Sequence, residues 1–97
     1  MPVSTANPQP DLTITNETSA LPTGKDGVPA IIQLIGGGKR QGPALEGAKI
    51  GQIQGSIAGV VWHTVALISD QGIERVPFLP PLMRADGDSV IHVKFLG

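Results

Sequence analysis

The sequence contains no cysteine and no tyrosine, and aromatic residues fill only 3% of its 97 positions. Without cysteine, disulfide bonds and thiolate metal sites are excluded. Charged residues are also scarce, at 15%, and the formal net charge is -1. A general nucleic-acid binder needs a basic stripe that would show in this count. We therefore expect no direct contact with nucleic acid.

Long apolar runs are missing as well. The longest two, near residues 28–35 and 60–68, fall well short of the ~20 residues that a membrane helix needs. No N-terminal stretch joins a basic start to an apolar segment of signal-peptide length, so we expect neither a membrane partner nor export by that route. The expected location is the cytoplasm, or a particle assembled there.

Glycine and proline are abundant, with 13 and 9 copies, and the large apolar residues are mostly Val, Ile and Leu. Apolar, β-branched segments bounded by such turn residues are typical of strands. The sequence therefore predicts an all-β protein, a small antiparallel β-sandwich or β-barrel. Composition shifts near Gly27, which predicts an N-terminal segment, 1–27, and a β domain, 28–97.

Residues 1–27 are rich in Pro, Ser, Thr and Asn, and only Asp11–Thr15 reads as a strand, with Leu12 and Ile14 on one face. This segment cannot bury enough surface to fold alone. Two interpretations stay open. It is a floppy tail, as termini often are, or an extended arm that adds its strand to the sheet edge of a neighbouring subunit.

Turn signals predict two tight turns in the β domain. Ser69–Gly72 predicts a hairpin between strands at 60–68 and 73–78, with positive φ at Gly72. Pro77 predicts that the second of these strands lies at a sheet edge or ends there. Asp86-Gly87 predicts another turn, before a strand at 89–96.

In that last strand, Ile91, Val93 and Phe95 share the face predicted to point into the core. Residues 46–59 are ambiguous because glycine recurs there every four positions. Each glycine costs a soluble helix roughly 1 kcal/mol relative to alanine. We therefore favour a strand, with Ile53 and Gly55 on one face and glycine where another backbone or a large side chain comes close.

No motif predicts a cofactor, metal or phosphate site. The run Gly36–Arg40 lacks the spacing and the hydroxyl residue of a phosphate-binding loop. The two histidines, His63 and His92, are too few for a zinc site. Asp86-Gly87-Asp88 resembles a fragment of a calcium loop, but Asp-Gly is also what a tight turn favours.

Catalysis is not expected either. No serine lies in a nucleophile-elbow context. Ser89, His92 and Asp88 are the residue types of a Ser–His–Asp catalytic set. However, all three lie close together in one turn and the strand after it, where no substrate pocket is expected. We therefore predict a protein that is not an enzyme.

The β domain has more apolar residues than its small core needs. A core of this size rarely supplies more than ~3–5 kcal/mol, and large apolar patches usually mark a protein interface. The run Val76–Met83 provides the candidate subunit interface. Its predicted interface residues are Phe78, Leu79, Leu82 and Met83.

An N-terminal arm, Pro2–Gly27, that carries a short strand at Asp11–Thr15 and is followed by β segments from Val28 to Leu96 resembles the small decoration (cement) proteins of tailed-bacteriophage capsids. Those are short cysteine-free chains with a Pro/Thr-rich arm and a compact β domain, and many are homotrimers. The resemblance implies that the protein binds the outer capsid surface and holds neighbouring major capsid subunits together.

The resemblance also implies a location on the exterior of the virion and contacts of the arm with the capsid through Leu12, Ile14 and Leu21. Two other classes stay open. A head–tail connector or tail component would share the arm but form a ring. A small cellular β-barrel adaptor would bind a peptide or nucleic acid as a monomer.

Overall fold

A computed structural model describes residues 9–40 and 48–97 of the chain. These residues form an all-β sandwich of two antiparallel sheets, and they contain no helix. The strands are β1 (Leu12–Ile14), β2 (Ser19–Ala20), β3 (Ala30–Gly36), β4 (Lys39–Arg40), β5 (Lys49–Ser56), β6 (His63–Ser69), β7 (Ile73–Val76), β8 (Leu82–Ala85) and β9 (Val90–Phe95). The predicted all-β class is confirmed, in its sandwich form.

One sheet has four strands in the order β1-β9-β3-β7. The other is built around β5, which pairs with β6 from Ile50 to Gly55 along one edge. Along its other edge β5 pairs with β4 at its start and with β8 at its end, and β2 extends the sheet beyond β8. Strands that follow one another in the chain therefore often lie in different sheets.

The core lies between the two sheets and is filled by aliphatic side chains from both. In β9, Ile91 and Val93 are buried and Phe95 packs against them, which confirms the face predicted from the alternating pattern. The buried apolar residues form one cluster: Ile14, Ala30, Ile32, Leu34, Ile53, Ile68, Val76, Leu79, Met83, Ala85, Ile91 and Val93.

The glycine-spaced stretch is a strand, as predicted, and β5 covers Lys49–Ser56 of it. Gly51 and Gly55 are buried on its inner face beside Ile53. A Cβ at Gly55 would lie 2.4 Å from Pro80 Cγ and 2.5 Å from Val65 Cγ2. Glycine is required there because two side chains come close to the backbone of β5.

The predicted hairpin at Ser69–Gly72 is wrong. β6 pairs with β5, whereas β7 pairs with β3 in the other sheet. The turn passes from one layer to the other because both strands bury an apolar side chain, Ile68 and Val76, in the shared core. Gly72 does not have the positive φ expected for a tight hairpin. Pro77 does follow the last residue of β7, which is an edge strand as predicted.

The described part of the N-terminal segment, residues 9–27, forms part of the sandwich of its own chain. β1 pairs with β9 in one sheet, and β2 pairs with β8 in the other. Asp11 Oδ2 accepts a hydrogen bond of 2.9 Å from the Phe95 backbone N–H. Within the described residues, the predicted division at residue 27 therefore does not separate an unpacked arm from a packed domain. Residues 1–8 of the predicted arm lie outside the described residues.

Candidate interaction surface

One end of the sandwich exposes a cluster of large apolar side chains. They belong to the β5–β6 loop, residues 57–61, and to the segment that follows β7. Ile57 is 86% exposed, Val60 82%, Val61 61% and Phe78 58%. We call these four residues the apolar end surface.

A groove of about 510 Å³ separates the two parts of this surface. The β5–β6 loop forms one wall, and Pro77, Phe78 and Pro80 form the other. Gly55 and Val65 contribute to the lining between these walls. No Lys, Arg, Asp or Glu lines the groove, so it offers apolar contact without fixed charge.

The loop is held from within the chain at both ends. At its start, the Gly59 backbone N–H donates to the buried Ser56 Oγ at 2.8 Å, and Gly59 takes a positive φ of 80°. Just after it, Trp62 stacks with the Arg84 guanidinium, whose centre lies 4.1 Å from the ring centroid. Arg84 Nε in turn donates to Gln54 Oε1 at 2.8 Å. The ends of the loop are fixed while its aliphatic side chains face solvent.

The structure revises the predicted subunit interface. Phe78 is exposed, and Leu82 is half-buried. Leu79 and Met83 are core residues, 1% and 0% exposed, so this conformation leaves them unable to contact a partner. Met83 alternates with Leu82 on β8, and its side of the strand is the side that faces the core.

The sequence does not predict an exposed loop at Ile57, Val60 and Val61. The apolar run Val60–Ile68 predicts a strand, but β6 begins only at His63. The signal that could have found the loop is Gly59, since a glycine with positive φ ends a strand. The apolar residues around Gly59 then belong to a turn, where the core cannot cover them.

The residues predicted to contact a capsid through the arm lie in the sandwich of this chain. Ile14 is fully buried, and Leu12 and Leu21 pack against the core from its margin. Ile14 is therefore not available to a partner in this conformation.

A second group of contacts, which we call the polar corner, joins the Gly37–Lys39 connection to the turn at Asp86–Ser89. Asp88 Oδ1 accepts a hydrogen bond of 3.0 Å from the Gly38 backbone N–H. Lys39 Nζ lies 3.7 Å from Asp86 Oδ2, with both side chains exposed. Asp86 and Gly87 lie in a tight turn, as predicted. The backbone N–H of Gly38, in this glycine-rich connection, thus binds the Asp88 carboxylate of the same chain.

The remaining candidate residues do not assemble into a reactive site. Ser89 is buried beside Gly51, His92 lies on the outer face of β9, and the Asp88 carboxylate bonds to Gly38. Across 9–40 and 48–97, no group of three or more His, Asp or Glu is placed to hold a metal ion. The same ranges contain no helix that is both long and apolar enough to cross a membrane.

One carboxyl group has a perturbed pKa. The Phe95 backbone N–H donates to Asp11, and Lys94 Nζ lies 3.5 Å from the same oxygen. The hydrogen bond first, and the positive charge of Lys94 second, hold the pKa of Asp11 below its usual 3.8. This contact ties the start of β1 to the end of β9.

Comparison of the chain with protein-family models, with curated proteins and with solved structures finds no match.

Proposed function

We propose that this protein is a structural protein of a virion that binds the outer surface of the capsid and stabilises contacts between major capsid subunits. The observation that carries the proposal is the apolar end surface. Four large apolar side chains, each more than half exposed, surround an uncharged groove in a chain of only 97 residues. Exposed apolar patches of this kind mark protein interfaces.

Burial of these apolar side chains against a partner is energetically favourable. Full burial of a Val, Ile or Phe side chain contributes about 1.5–3 kcal/mol. Each residue of the apolar end surface is already partly covered, so each adds about 1 kcal/mol or more when a partner covers the rest. Such a contact needs neither a cofactor nor a reactive group on this chain.

The decoration of a capsid is supported by the resemblance of the sequence to phage cement proteins, which are also short, cysteine-free chains with a compact β domain. A near-neutral net charge of -1 suits an exterior position, where no contact with packaged DNA is needed. We further propose a homo-oligomer, with a trimer favoured by the resemblance. The contact with the capsid is made mainly by the apolar end surface rather than by Ile14, which the core already holds.

A co-sedimentation experiment tests the function. DNA-filled capsids of the virus that encodes the chain are stripped of exterior proteins and mixed with the purified wild type, with Val60→Asp or with Ile73→Asp. Val60 and Ile73 are both exposed, but Ile73 lies on β7, away from the groove lining. We expect the wild type and Ile73→Asp to sediment with capsids, and Val60→Asp to bind at least tenfold more weakly.

Absence of wild-type protein from the capsid pellet at all concentrations would contradict the function. Equal binding by Val60→Asp and the wild type would instead show that the capsid contact lies elsewhere on the molecule.

A further inference from the structure

We propose that the N-terminal segment is exchanged between copies of this chain, so that its two strands complete the sandwich of a neighbouring copy. We call residues 9–20, which carry β1 and β2, the exchange segment. The inference rests on the homo-oligomer that is part of the proposed function, and it names the contact that holds this oligomer together.

The exchange segment lies at the margin of the fold. β1 is the outermost strand of the four-stranded sheet, and β2 is the outermost strand of the other sheet, beyond β8. Of the buried apolar cluster in the described ranges, this segment provides only Ile14. The pairings among β3 to β9 are all made without it. The segment can therefore leave while the other strands stay paired, as a local opening of the fold.

The positions that the segment leaves open fit its own sequence. Ile14 fills a fully buried position in the core. The Phe95 backbone N–H donates to Asp11 Oδ2 at 2.9 Å, and the Ala85 backbone N–H donates to the Thr15 carbonyl oxygen at 2.6 Å. A second copy carries the same residues and reproduces each of these contacts, which is why we assign these positions to a second copy.

The connection between β2 and β3, residues 21–29, is the hinge of the exchange. It folds back through two turns, in which the Lys25 N–H donates to the Pro22 oxygen at 3.1 Å and the Val28 N–H donates to the Lys25 oxygen at 3.3 Å. The third residue of each turn is a glycine with positive φ, Gly24 at 85° and Gly27 at 79°. The closed form thus depends on two tight turns that an open hinge does not need.

The hinge also suits an extended form. Proline restricts the residue before it to extended backbone, so Pro22 and Pro29 favour extension at both ends of the hinge. Nine extended residues span about 30 Å, which reaches an adjoining copy. Opening breaks two bonds to the body, from the Leu21 N–H to the Pro81 oxygen at 3.0 Å and from the Gly27 N–H to the Leu79 oxygen at 2.8 Å.

The balance between the two forms depends on the hinge and on the concentration of copies, because the strand contacts are the same in both. Release of the two turns favours exchange, and so does the high effective concentration of copies within an oligomer. Exchange in one direction around a three-fold axis closes a ring of three chains, which is the oligomer that the resemblance favours.

Cysteine pairing between co-expressed chains tests the exchange, because the natural chain has no cysteine. Thr13 on β1 lies directly opposite His92 on β9. One full-length chain carries Thr13→Cys and the other carries His92→Cys, and the purified mixture is oxidised and run on a non-reducing gel. We expect a linked pair of one chain of each kind, since exchange places the two thiols side by side on different chains.

The matched control uses the other neighbour of His92. Gln33 on β3 lies directly opposite His92 on its other side, and β3 is not part of the exchange segment. Co-expressed Gln33→Cys and His92→Cys chains are expected to give at least fivefold less linked product. Thr13 and Gln33 are both exposed on the same face of the sheet, so a simple contact between two such faces would link both pairs alike.

Two further measurements complete the test. A single chain that carries both Gln33→Cys and His92→Cys is expected to close a disulfide within itself, which shows that the control pair can form the bond. Light scattering on the wild type is expected to give a multiple of 10.0 kDa above one chain. The far-ultraviolet circular dichroism of each variant excludes misfolding as the cause of a missing product.

The inference is overturned if the Thr13→Cys pair gives no more linked product than the control, or if the wild type stays a single chain up to millimolar concentration. If either result is found and the wild type still sediments with capsids, the proposed function stands and the exchange is excluded. If the exchange is found but the wild type does not bind capsids, the proposed function fails instead.

Discussion

The β5–β6 loop and the polar corner both contain glycine with a positive φ. They differ because side chains at the polar corner bond within the chain, whereas those of the loop face solvent. At the polar corner, Gly37 and Gly38 approach the Asp86–Ser89 turn, and Asp88 bonds to the Gly38 backbone. In the β5–β6 loop, Gly59 turns the chain and the aliphatic residues on either side face solvent.

The difference separates contacts that hold the fold from contacts that the fold leaves open. The polar corner joins the two sheets by bonds within the chain, so changes there act on stability. The β5–β6 loop is anchored through Ser56 and Trp62 while its aliphatic side chains face solvent, so changes to those side chains act on association. Four substitutions probe this division, in decreasing order of their effect on the free energy of unfolding.

Gly37→Ala is expected to have the largest effect. An added Cβ would lie 2.1 Å from the Asp88 carbonyl oxygen, and the φ of Gly37 is +66°. Backbone must move to relieve that contact, which is expected to cost more than about 4 kcal/mol, a large loss for a single substitution. Because a folded domain is stable by only about 5–15 kcal/mol in all, urea unfolding should show a much lower midpoint or no cooperative transition.

Gly24→Ala is the matched control. Gly24 also has a positive φ, +85°, but an added Cβ meets nothing within 4 Å. It is expected to cost only about 1 kcal/mol, from backbone conformation alone. Similar losses in the two variants would contradict the assigned role of the polar corner.

Gly55→Ala is expected to destabilise the protein by about 2–3 kcal/mol, since the new methyl group overlaps Pro80 and Val65 and overpacks the site. Both neighbours are side chains that can shift, which keeps the loss below that of Gly37→Ala. Gly72→Ala, with nothing within 4 Å of its Cβ, should change stability by about 0.5 kcal/mol or less. Thermal unfolding measures both, and equal stability of Gly55→Ala and the wild type would show that the β5 backbone is not closely covered.

Whether a feature of this fold could be predicted from the sequence depends on how far apart in the chain the interacting residues lie. Local patterns predicted the alternating faces of β9, the strand at β5 and the turn at Asp86-Gly87, because each depends on neighbours within a few residues. The arrangement of β6 and β7 was not predicted, because a four-residue turn gives the same local signal whether it joins paired strands or crosses between layers.

The candidate surface was predicted only in part. Phe78 was identified as a member of the apolar run Val76–Met83. Leu79 and Met83 were assigned to the same surface because sequence shows an apolar run but not which of its residues the second sheet covers. The packing of Ile14 against its own chain depends on its pairing with β9, more than 70 positions away.

Asp11→Asn is expected to destabilise the protein at neutral pH by less than the glycine substitutions. In the folded chain the pKa of Asp11 lies below 3.8, so ionisation of this carboxyl stabilises the fold above the pKa of the unfolded chain. That stabilisation is lost as the pH falls through the lowered folded-state pKa.

Urea unfolding at a series of pH values measures the effect. The difference between Asp11→Asn and the wild type should shrink as the pH falls below 3.8, the usual value for this carboxyl. The exposed Asp70 provides the control: Asp70→Asn is expected to track the wild type throughout. A difference at Asp11 that is constant with pH would contradict a role for the charge.

Val60→Ser is expected to have the smallest effect on stability, within about 0.5 kcal/mol of the wild type, since the side chain is 82% exposed. The same measurement on Val93→Ser, whose side chain is in the core, should show a loss of at least about 2 kcal/mol. A loss at Val60 as large as that at Val93 would mean that the loop is part of the folded core.

The most direct measurement is the affinity of the wild type, Val60→Asp and Ile73→Asp for stripped, DNA-filled capsids. We expect Val60→Asp, whose side chain lines the groove, to bind at least tenfold more weakly than the wild type, and Ile73→Asp to bind equally well. Equal binding by Val60→Asp and the wild type would contradict the assignment of the apolar end surface as the site of association.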